Sequence, residues 1–119
     1  MTVRRPFVKA SIATLSILEA VGMRRIVYAG SVFYTGDTIA EALLDYARVL
    51  ARRNLADAVF VPGRLTSGET DKIEVLIGPA SQVVSEPVDE YGPDLVDADV
   101  VAELRERARR LAEGQQPGI

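Results

Sequence analysis

The 119-residue sequence contains no cysteine, no histidine and no tryptophan. Without cysteine there is no disulfide, no thiolate nucleophile and no cysteine-ligated zinc or iron–sulfur cluster. Without histidine the chain also lacks the commonest general base, the usual metal ligand and the ordinary pH switch. Any catalysis would rest on carboxylates, Lys, Arg, Tyr, Ser or Thr, or on a cofactor, and no cofactor signature stands in the sequence. Aromatic residues make up only 6 % of the chain, so the core must be built from Ala, Val, Leu and Ile. The apolar run from Ala10 to Leu18 is far too short to span a bilayer. Basic charge is not in excess either. The net charge of −3 argues against nucleic acid or an anionic membrane as partner, since both need a basic surface.

What is present is ordinary for a globular protein. Hydrophobic residues make up 48 % and charged residues 26 %, which excludes a chain disordered throughout. The length suits one domain, large enough to bury roughly two-thirds of its unfolded surface. We divide the chain into an N-terminal extension over 1–22, a single α+β domain over 23–114 and a fraying tail over 115–119. The extension allows three readings. It begins with Arg4, Arg5 and Lys9 and continues into the apolar run. It reads as an extension added by a wrongly assigned start, with translation beginning at Met23, as an amphipathic helix from Ala10 to Ala20, or as a secretory signal.

Within the domain, Arg25 to Tyr28 and Val32 to Tyr34 have strand composition. Ala29, Gly30 and Ser31 between them form a hairpin signal. Thr38 and Glu41 form a capping box that starts a helix, with Asp37 favourable beside its positive end. The helix runs to about Arg53, with Ile39, Leu43, Tyr46, Ala47 and Leu50 on one face, and Asn54 ends it. Ala58 to Val61 is a strand, ended by Pro62 and Gly63. Arg64 to Asp71 is a polar loop. Lys72 to Ile77 alternates, with Ile73, Val75 and Ile77 on the buried side. Gln82 to Ser85 adds a short edge strand. Six carboxylates and no base lie between Glu86 and Asp99, in a loop or tether. A last helix, capped by Asp97 or Asp99, carries Val100, Leu104, Ala108 and Leu111 as its apolar stripe. Gly114 ends it. The order β-β-α-β-β-α, with four or five strands joined by turns, implies a mainly antiparallel sheet with two helices on one face.

The stretch Gly30 to Thr38, "GSVFYTGDT", resembles a phosphate loop only in outline. The P-loop spacing is wrong by one residue, and Asp37 stands where a lysine should meet phosphate. The glycines fit a hairpin and a helix start better. A small-ligand site is conceivable if Thr35, Asp37 and Thr38 converge with Ser81 and Gln82 of the Gly78 to Gln82 loop at one sheet end. The acidic tract does not fit an EF-hand, and its charge suits a solvated loop or an Arg-rich partner. Glu103, Glu106 and Glu113 neutralise the arginines of the last helix, again against nucleic acid.

Two functions follow from different classes. The first is a non-catalytic protein-interaction or assembly module whose sheet edge or second face pairs with another copy, as a homodimer, or with another protein. The second is a small-ligand binder or modest enzyme at the five residues above. The Ala-, Val- and Arg-rich composition points to a small bacterial, cytoplasmic protein.

Overall fold

The computed structural model of the protein describes residues 22–80, 82–88 and 94–114. The readings of the N-terminal extension up to residue 21, Ser81, the middle of the acidic tract (89–93) and the tail (115–119) fall outside the described residues. The elements are β1 (Met23–Tyr28), β2 (Ser31–Gly36), α1 (Asp37–Arg52), β3 (Asp57–Arg64), β4 (Thr70–Ile77), β5 (Val83–Val88) and α2 (Ala98–Ala112). This is the expected α+β fold, with the optional fifth strand present. Its sheet is antiparallel, in the order β4-β3-β2-β1-β5.

The hairpin β1–β2 closes on two residues, Ala29 (φ 51°) and Gly30 (φ 82°). Both take the positive φ that lets a tight turn follow the strand twist. Glycine does this freely, whereas a left-handed alanine costs about 1–2 kcal/mol. Ser31 already belongs to β2, opposite Tyr28.

The start of α1 differs from the expected capping box. Gly36 is the N-cap and no side chain caps the helix. Thr38 is the second residue inside it. The reason is backbone packing. The Asp37 amide donates to the Gly22 carbonyl at 2.9 Å. The segment before α2 crosses so close that a Cβ on Gly36 would lie 1.9 Å from the Leu95 carbonyl oxygen. Strand therefore passes straight into helix, two residues earlier than the side chains suggest. At the other end Asn54 is left-handed (φ 58°), as its tolerance for that region predicts. For α2 the cap is Asp97, whose Oδ1 accepts from the Val100 amide at 3.1 Å.

Pro62 and Gly63 do not end β3. Within an extended strand a residue's N–H and C=O point the same way. The Pro62 carbonyl accepts from Thr35 Oγ1 on β2 at 2.7 Å, so the missing N–H also faces β2 and the ladder to β4 loses nothing. That ladder runs in unbroken register from Asp57↔Ile77 to Arg64↔Thr70. Pro87 is likewise inside β5, an edge strand, where proline is tolerated.

The sheet bends sharply between β2 and β3, which meet only at Tyr34↔Arg64. Tyr28 of β1 nevertheless donates its hydroxyl to the Leu76 carbonyl of β4. In a flat sheet these strands would be three spacings apart, roughly 14 Å, beyond a tyrosine's reach. The hairpin β3–β4 has therefore swung toward the face that carries Ile26 and Tyr28. Inside the bend lie Ile26, Phe33, Val59, Val61, Val75 and Ile77. Against them pack Ile39, Leu43, Tyr46 and Leu50 of α1 and Leu104 and Leu111 of α2, all buried. Among the described residues no helix packs on the opposite face of the sheet.

Candidate functional site

The bend creates the most distinctive surface of the molecule. β3 is paired with β4 on one side. On the other, β2 touches it only at Arg64. Even-numbered residues of β3 point their backbone groups to that second side, as Pro62 shows, and Ala58 agrees. Its carbonyl accepts from Arg107 Nη1 of α2 at 3.3 Å, and its amide donates to Asp57 Oδ1 at 2.9 Å. The Phe60 N–H and C=O point the same way, and among the described residues no strand meets them.

Alongside this edge runs α2. Between the two lies a cleft of about 450 Å³, lined by Val59, Phe60 and the N-terminal half of α2, with Asp97, Asp99 and Glu103 in its wall. The Phe60 ring is 54 % exposed, and Lys72 Nζ sits 5.9 Å from its centroid. One face of Phe60 is thus within reach of a cation while the rest borders the cleft.

One carboxylate ties together the elements around the cleft. Asp57 Oδ2 accepts from the Tyr46 hydroxyl at 2.6 Å and from Arg107 Nη1 at 2.9 Å, joining α1, β3 and α2. Arg107 Nε also donates to Glu103 Oε2 at 2.8 Å. Burial, and then the hydrogen bond to Asp57, pushes the Tyr46 phenol well above its ordinary value. The hydrogen bond that Arg107 donates to Glu103 raises its pKa against the opposing effect of burial. Both carboxylates of this cluster hold at least one donor, which fixes the relative positions of α1, β3 and α2.

The other arginines of α2 are engaged too. Arg109 and Arg110 both hold Glu106, and the Arg109 hydrogen bond draws that carboxyl down to about 2. Arg105 reaches across to Glu41 and Asp45 of α1 at 3.8 and 3.7 Å.

Of the five residues expected to form a ligand site, the four that are described do not gather at one point. Thr35 is fully buried and bonded to Pro62. Thr38 is half-buried in the first turn of α1, Gln82 is exposed just before β5, and Ser81 lies outside the described residues. Asp37 borders a hollow with Arg24, Glu41, Arg48 and Ser85. Gly78 and Pro79 border a second hollow beside Ala47 and Ala51. Leu44 and Arg48 are common to both, making one shallow trough between α1 and β5. Asp37 and the Gly78–Pro79 turn stand at its opposite ends, separated by ten to fourteen residues of α1. By the helix rise this is roughly 15–20 Å. Arg24 is tied to Ser85 through Oγ at 2.9 Å and through the carbonyl at 3.0 Å.

Among the described residues no group of three or more acidic side chains could hold a metal ion, and no helix is long and apolar enough to cross a membrane. The sequence reading missed the open edge of β3. Its one local signal was Pro62, since a proline within a strand marks a side with no ladder to feed. No family model matches the chain, and neither a curated protein nor a solved structure matches it. Its function is therefore argued from geometry alone.

Proposed function

We propose that the protein is a non-catalytic interaction module of a bacterial cytosol, docking through the hairpin β3–β4. One observation carries the reading. Phe60 and Leu76 are 54 % and 57 % exposed, and they are diagonal neighbours on the sheet face turned away from α1 and α2, since Phe60 pairs with Glu74 and Ala58 with Leu76. Large apolar side chains exposed together mark interaction surfaces. Val84, 48 % exposed on β5, has the same facing by register. The partner is another protein. A second copy of the chain, as a homodimer, is the other occupant this face admits.

The reading is tested by placing a photo-cross-linking amino acid at position 76 of the full chain in its native cells. Position 52, exposed at the far end of α1, serves as control. A discrete adduct from position 76 and none from position 52 is expected. No adduct from position 76 contradicts the reading. An adduct of twice the chain mass identifies a second copy as the occupant.

A further inference from the structure

We infer that the cleft between β3 and α2 accepts an extended, cationic segment of another protein, which adds to β3 as a short strand alongside Ala58 to Phe60. The inference rests on the interaction reading above and names the chemistry of the partner. An unpaired strand edge binds peptides because its backbone groups repeat at the spacing of another strand, while side-chain pockets supply the selectivity. Here Phe60 offers both its N–H and its C=O. The site is short. On one side the Ala58 carbonyl is shared with Arg107, and on the other the Pro62 carbonyl is given to Thr35. About one strand repeat is therefore open, which suits weak and reversible binding.

Charge selects the occupant. Asp97, Asp99 and Glu103 face the cleft against one cation, Arg107, and Arg107 is already held by Asp57 and Glu103. An incoming segment with Lys or Arg at alternate positions meets that wall with opposite sign. The exposed part of the Phe60 ring offers the segment's aliphatic stems an apolar contact. A second copy fits worse. Its outermost strands β4 and β5 carry Asp71, Glu74 and Glu86 against the single Lys72, the same sign as the wall. An acidic partner is disfavoured for the same reason.

The experiment is a titration of the ¹⁵N-labelled full chain with an end-capped peptide of alternating Lys and Val, followed by amide chemical shifts. The expected result is a saturable shift centred on Val59, Phe60, Val100 and Glu103. The same peptide with Glu in place of Lys gives none. Asp99→Lys, at an exposed residue with no structural bond to lose, weakens binding about three- to tenfold and leaves the rest of the spectrum unchanged. Three results would each overturn the inference: shifts centred elsewhere, equal binding of the Glu peptide, or no shift at millimolar peptide. If the cleft ignores the peptide while position 76 still cross-links in cells, the interaction reading stands and this inference alone falls.

Discussion

At the scale of single residues, Asp57 is the junction of the fold. Its Oδ2 receives the buried Tyr46 hydroxyl and the Arg107 guanidinium, so one carboxylate links both helices to β3. Removing either partner has a different consequence. Tyr46→Phe removes one hydrogen bond but leaves Asp57 paired with Arg107, and is expected to destabilise by about 1 kcal/mol. Asp57→Ala strands a fully buried phenol without its acceptor and frees half of Arg107. Its expected effect is about 2–3 kcal/mol. Urea unfolding of both variants checks the order, and equal effects would contradict the junction. Tyr46 was legible in the sequence as a core residue of α1 from its spacing with Ile39, Leu43 and Leu50. Its bond to Asp57 was not legible. That contact depends on how the strand after the helix folds back, which no local pattern specifies.

At the scale of elements, local rules held where the chain makes its own boundaries and failed where a neighbour makes them. Asp97 caps α2 as its position before an apolar stripe suggests, and Asn54 turns left-handed after α1. Thr38 has the right chemistry for a cap but the wrong surroundings. The contacts of Asp37 with Gly22 and of Gly36 with Leu95 set the start of α1 instead. Two substitutions separate the cases. Asp97→Ala is expected to cost about 1 kcal/mol, and Thr38→Ala less than about 0.5 kcal/mol, both read by thermal or urea denaturation. A large effect at Thr38 would mean that it caps the helix after all. The same logic explains β3 and β5. Proline reads locally as a strand breaker, yet Pro62 and Pro87 sit where no ladder bond is asked of them.

At the scale of the whole molecule, the two-layer α+β arrangement was legible from the alternation in β4 and the stripes of α1 and α2. The bend was not. It follows from β2 and β3 meeting at a single pair, Tyr34 and Arg64, and from Tyr28 reaching β4, both contacts between distant parts of the chain. The candidate site inherits that blindness. Thr35, Asp37, Thr38 and Gln82 are polar residues near glycines, the kind of feature a sequence displays. The cleft beside Phe60 consists of what is missing from one side of a strand, and it exists only because the sheet turns a corner there. The strand-addition site inferred for this chain therefore stands on the open edge of β3. Amide hydrogen exchange of the full chain, resolved by residue, measures that edge directly. Val59 and Val61, bonded to β4, should exchange slowly while the Phe60 amide between them exchanges fast. A Phe60 amide as protected as its two neighbours would mean that the edge is already filled, and would contradict the account.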